Sequence, residues 1–130
     1  MSDIIKMLPE MLDFFSSSGA SAEQIDEAEK KLELRFSDEY REYLLKFGFA
    51  SADGHELTGI CTSPRLNVVD VTITERVRNP NLEKKYYVIE QVNIDRIVIW
   101  QSNTGEIYQT TPNTQPLKLC NSLCEYLDLS

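Results

Sequence analysis

One histidine, three cysteines and no Cys-x-x-Cys pair leave this chain little material for metal or nucleophilic chemistry. The odd cysteine count excludes a complete intramolecular disulfide framework. No apolar run approaches the roughly 18 residues that a membrane span requires. Asp3, Lys6, Glu10 and Asp13 interrupt what would be the apolar stretch of a secretory leader. With five Gly and five Pro, the chain is neither collagen-like nor of low complexity. Neither G-x-G-x-x-G nor G-x-x-x-x-G-K-S/T occurs, so no phosphate-cradling loop is expected. Positive charge is scarce too: 13 Lys and Arg stand against 21 Asp and Glu, for a net charge of -8. Such a chain should repel nucleic acid and anionic lipid and attract a basic partner. A cytoplasmic protein with no nucleic-acid and no membrane partner is the expectation.

What is present is ordinary globular material. The 130 residues include 42% hydrophobic and 26% charged side chains, which suits a single domain spanning 1–130 with a sizeable core. The negative charge is uneven. Residues 1–60 hold 13 acids and 6 bases, whereas residues 61–130 hold 8 acids and 7 bases. This imbalance is either a solvated surface that keeps the protein soluble or an acidic face for docking.

Periodicity gives the elements. Ile4, Leu8, Met11 and Phe15 form a helical stripe, with Pro9 predicting a kink or a start near Leu8. Ser21 and Gln24 form a capping box ahead of the stripe Ala22, Ile25, Ala28 and Leu32. Asp26–Lys30 and Glu27–Lys31 are spaced as i,i+4 pairs. A third helix should start at Ser37 with Asp38 and Glu39 in its first turn, run through Tyr40, Tyr43, Leu44 and Phe47, and stop at Gly48. These two helices should form a compact hairpin. Ser51 to Glu56 reads as turns, and Leu57 to Ile60 as one small strand. Residues Asn67 to Val77 are ambiguous: their β-branched content argues strand, while Val69, Ile73 and Val77 repeat as a helix face would. Strands are expected at Tyr86–Val92, Ile94–Trp100 and Glu106–Thr110, the second being central because both its faces are apolar. Leu119, Leu123 and Leu127 suggest a short closing helix, capped by Asn121 or Ser122. The sum is α+β: N-terminal helices packed on a largely antiparallel sheet, with a short C-terminal helix.

The search for chemistry returns little. Cys61 and His55 could pair as thiolate and base, but no motif supports a triad. Cys61, Cys120, Cys124 and His55 would make a Cys3His set without the tight knuckle that structural zinc usually shows. The cysteines read better as small buried hydrophobes. Asp53 with Glu56 could serve as a carboxylate pair, though 21 acids make such pairs common by chance. No catalytic residue, metal ligand or cofactor is therefore expected. A binding module fits better, with Asp53, His55 and Glu56 in a polar loop and Glu106 and Tyr108 on the late hairpin as candidate partner contacts. Ordinary surface is the alternative for each.

The stretch Ile25 to Ile60 resembles the SMI1/KNR4 family of the SUKH superfamily. The matching residues are Ile25, Glu29, Leu32, Phe36, Tyr40, Tyr43, Leu44, Phe47 and Gly48, then Glu56-Leu57-Thr58-Gly59-Ile60. Arg35 to Tyr40 stands where the family has a Leu-Pro step, and Phe47-Gly48-Phe49 where it has Asn-Gly-Gly. Asn67 to Asn79 is similar to a segment that is helical in the family, and the later strands and closing helix follow more loosely. The resemblance implies a non-enzymatic role. Small bacterial members act as immunity proteins that neutralise a partner toxin, often a nuclease of polymorphic or contact-dependent systems. Fungal members are larger regulators of cell-wall synthesis with disordered flanks, so a short bacterial-type domain is expected. A cognate toxin, basic and possibly a nuclease, is the partner this implies. The alternative is a regulatory or interaction adaptor with no toxin.

Overall fold

The computed structural model describes residues 3–92, 94–112 and 114–129. Its elements are α1 (Ile4–Met7), β1 (Phe15–Ser16), α2 (Ala22–Leu32), α3 (Asp38–Phe47), β2 (Ala50–Ala52), β3 (His55–Glu56), α4 (Val68–Arg78), β4 (Tyr87–Val92), β5 (Ile97–Gln101), β6 (Ile107–Thr110), β7 (Leu117–Cys120) and α5 (Leu123–Asp128). The strands form two antiparallel sheets, β1-β2-β3 and β4-β5-β6-β7. The α+β class is as expected, with the small N-terminal sheet set apart from the main meander.

The helix starts follow their caps. Ser21 Oγ accepts from Gln24 N, and Gln24 Oε1 accepts from Ser21 N, closing the expected capping box of α2. Ser37 Oγ accepts from Tyr40 N at the head of α3. The spaced acid–base pairs on α2 are not made. Asp26 and Glu29 instead reach Arg41 on α3, at 3.4 and 2.8 Å, and so tie the helical hairpin together.

Four local expectations need correction. The first helix does not extend to Phe15: α1 ends at Met7, a 3-10 turn covers Leu8–Glu10 around Pro9, and Phe15 enters β1. Proline's missing amide and its clash with the preceding turn end the α-helix there. The strand expected at Leu57–Ile60 sits earlier, at His55–Glu56, because Asp53 and Gly54 both take positive φ and close a tight hairpin with β2; Leu57 keeps only an isolated bridge to Glu90. The strand expected from Ile94 begins at Ile97, after a turn in which Asp95 and Arg96 both have positive φ. Finally, the last helix is capped by Ser122, one of the two expected caps, but its stripe does not include Leu119, and Leu119 and Cys120 lie before it. They end β7, which pairs with β6, and α5 begins after Ser122, whose Oγ accepts from Glu125 N. Cys120 and Cys124 thus occupy a strand and a helix.

Residues 68–78 are helical, as the family resemblance implied. Asn67 Oδ1 accepts from Val69 N and Asp70 N and caps α4. Yet the face that packs inward is Val68, Val71, Thr72 and Glu75. Of the stripe Val69, Ile73 and Val77, Val69 is half-buried against the large core, whereas Ile73 and Val77 are 48% and 78% exposed.

Strand β5 is central in its sheet. Its alternation serves two cores. Ile99 joins the large core built by α1, α2, α3, α5 and the hairpin, while Val98 and Trp100 join Val71, Tyr86 and Val88 beneath α4. Tyr40, Tyr43 and Phe47 are core residues, as their spacing suggested. The two tyrosine hydroxyls also knit the layers: Tyr40 OH donates to Thr58 Oγ1, Thr58 Oγ1 donates to Val88 O, and Tyr43 OH donates to Thr58 O.

Candidate functional site

Three of the five candidate contacts lie on the β2–β3 hairpin. Asp53 is exposed at its tip, with φ of 50°. His55 and Glu56 follow on β3. A strand alternates its faces, so the two side chains leave in different directions. The Glu56 side chain reaches the surface, where Arg65 grips it through two hydrogen bonds of 3.1 and 3.0 Å. That guanidinium holds the Glu56 carboxyl below its usual range. The pair borders a polar cleft of about 470 Å³ with Thr58, Leu66 and Gln91.

His55 turns inward to Glu90. Its Nδ1 lies 2.9 Å from Glu90 Oε1, and since a carboxylate only accepts, Nδ1 carries the proton. Tyr126 OH on α5 donates to the same oxygen at 2.6 Å, and Glu56 N donates to Glu90 Oε2 at 3.1 Å. The His55 and Tyr126 rings meet edge to face at 5.5 Å. Glu90 is 5% exposed and thus a carboxylate buried among three donors. A bulge in β4 between Val88 and Glu90 puts it opposite Ile99, on the large-core side. The hydrogen bond to Glu90 raises the His55 pKa above its ordinary value, against the opposing pull of burial. Burial, and then the bond to Glu90, push Tyr126 far above the phenol range.

Glu106 and Tyr108 belong to a different place. Tyr108 on β6 faces Trp100 across the ladder, on the sheet face opposite to Glu90, and packs edge-on against Tyr86 at 5.1 Å. Glu106 pairs with Lys118 at 3.0 Å, which lowers its pKa. The structure therefore joins His55 and Glu56 around Glu90, leaves Asp53 at the hairpin tip, and separates Glu106 and Tyr108. Glu90 and Tyr126 were not singled out from sequence. The available signal was one carboxylate within the apolar run Tyr86 to Val92.

Chemically, this cluster fastens a hairpin to a strand and a helix. The Cys61 Sγ points to Ser63 O at 3.7 Å. Burial raises the Cys120 thiol, and it pushes Cys124 up to about 12. Among the described residues, no group of three or more His, Cys, Asp or Glu side chains is placed to hold a metal ion. None of the described helices is long and apolar enough to cross a membrane.

The motif residues are architectural. Ile25, Leu32, Phe36, Tyr40, Tyr43, Leu44, Phe47 and Leu57 are all core. Gly59 passes so close to the preceding glycine of the pattern that an added Cβ would lie 2.0 Å from Gly48 O. No curated protein matches the chain significantly. The SUKH_5 family, described as SMI1-KNR4 cell-wall, matches residues 1–128. On this near-complete coverage the chain belongs to the SMI1/KNR4 family of the SUKH superfamily.

Proposed function

We propose that this chain is an immunity protein: it binds a cognate toxin domain in the bacterial cytoplasm and neutralises it by occlusion, without chemistry of its own. The observation that carries this reading is the family match over residues 1–128 in a chain of net charge -8. The site geometry supports a binder. The histidine is committed to Glu90, and the carboxylates beside it are held by Arg65 and by backbone. A basic toxin, a nuclease being the leading class, suits the charge. Nucleases that grip phosphate carry cationic clefts, and complementary charge speeds encounter by about 10–10³-fold in a salt-dependent manner.

The test is co-expression with the C-terminal domain of a large toxin gene encoded beside this one. Growth is rescued under the proposal, and the association rate of the purified pair falls as salt rises. Absence of both rescue and co-purification overturns it. The family's cell-wall description favours a second reading, a non-enzymatic regulatory adaptor. That reading expects stable partners whose capture protects no cell from a toxin.

A further inference from the structure

Helices α2 and α4 lie side by side and run in the same direction. Asn67 and Asp70, at the start of α4, line a groove with Ser21 to Ala28, and Arg76 near its end is in electrostatic reach of Glu33 just past α2. The groove measures about 430 Å³. Its floor is apolar: Ala28 from α2, Ile60 from the loop after the hairpin, and Val69 from α4. One and two turns further on, Ile73 and Val77 continue that floor as an exposed aliphatic ridge.

The rim decides what fits. Glu23, Glu27 and Asp70 are exposed along it. No ion pair among the described residues uses any of the three. Some acids elsewhere are already answered, Glu56 by Arg65, Glu106 by Lys118 and Glu33 by Lys84. Lys31 lies at the other end of the groove, so the charge along it runs from negative to positive. We propose that the α2–α4 groove is the docking surface for a basic, aliphatic-bearing segment of a partner protein. The segment lays its apolar side chains on Val69, Ile73 and Val77 and its Lys or Arg against Glu23, Glu27 and Asp70. This deepens the immunity reading by naming the surface and the chemistry of the partner segment, and it moves the contact away from the Asp53–Glu56 hairpin.

The test uses the full chain, isotopically labelled, titrated with a blocked synthetic peptide of Lys and Leu at helical spacing. Two control peptides accompany it, one with Glu in place of every Lys and one with the same residues scrambled. Amide shifts on binding should map to α2 and α4, and the Glu peptide should not bind. The double variant Glu27→Gln/Asp70→Asn should weaken binding about tenfold, the sum of two solvent-exposed charge contacts. Ile73→Ser should weaken it about fivefold, as loss of an interface anchor does. Because Ile73 and both acids are exposed, the variants should keep the wild-type circular dichroism spectrum. Should the double variant unfold, Glu23→Gln with Val77→Ser supplies the same reading.

Shifts centred on the hairpin, or equal binding of the scrambled or Glu peptide, overturn the proposal. So does a concentration-dependent dimer that Ile73→Ser disperses while the Lys–Leu peptide fails to bind, since a second copy is then the occupant. Toxin rescue separates the two readings. Rescue that survives in the groove variants leaves immunity standing and removes the groove. Peptide bound in the groove with no toxin neutralised does the reverse.

Discussion

Replacing Glu90 examines how the hairpin, the sheet and the last helix are held together. The carboxylate accepts from His55 Nδ1, Tyr126 OH and Glu56 N, and each donor comes from an element other than β4. In Glu90→Ala these donors lose their acceptor inside the protein. A buried donor without a partner costs about 1–3 kcal/mol. Relief of burying a charge offsets part of the total, which leaves about 3–4 kcal/mol, near the lower end for breaking a buried pair. In Glu90→Gln the shape is kept. The amide oxygen can serve both His55 and Tyr126, while its NH2 faces the Glu56 amide, so about 1–2 kcal/mol is lost. Both should appear in urea unfolding as a lower midpoint with an unchanged slope.

The chain's single histidine supplies a second reading of the same variants. Glu90 raises the His55 pKa, so the folded protein holds a proton at pH values where the unfolded chain has released it. That contribution is complete below the ordinary histidine value of about 6.5 and is lost as pH rises through the folded value. The imidazole NMR titration should therefore have a midpoint above the ordinary value in the wild type and a lower one in Glu90→Gln. A Glu90→Ala protein within about 1 kcal/mol of wild type would refute the reasoning, given that small domains hold only about 5–15 kcal/mol in all. Equal damage from Ala and Gln would refute it as well.

Two further substitutions probe the scaffold. Gly59→Ala puts a Cβ 2.0 Å from Gly48 O, and backbone on backbone cannot rotate away; a loss of about 3 kcal/mol should lower the thermal midpoint by about 10 °C, and an unchanged midpoint rejects the crossing. Thr72→Val keeps the shape but removes the Oγ1 that accepts from Val88 N at 3.0 Å. It should cost about 1–2 kcal/mol and speed hydrogen exchange at the Val88 amide; unchanged exchange shows that this bond contributes nothing.

Local physics made much of the helical half readable. Ser21 and Ser37 are caps because their hydroxyls reach backbone amides within the same turn, and the apolar stripes behind them bury as their spacing requires. The central position of β5 was readable from apolar residues on both its faces. Residues 68–78 were not readable in that way. Their β-branched side chains favour extended backbone, and helix won because Asn67 caps it and Val68, Val71 and Thr72 have a sheet to pack on. Strand β7 likewise exists because β6 offers it an edge, which nothing within Leu117 to Cys120 announces.

The sequence by itself determined the helix starts at Ser21 and Ser37, the burial of the α3 tyrosines, the α+β class and the net negative charge. Each follows from contacts within a turn or two of chain, or from composition, neither of which needs the fold. Tertiary structure decided which candidates share a place. It brought His55, Glu56 and Tyr126 to Glu90 across 34 to 36 residues of chain, sent Tyr108 to the other sheet face, and left Ile73 and Val77 exposed. Those outcomes depend on strand register, a bulge and helix rotation, which are set by packing between distant segments and leave no local mark.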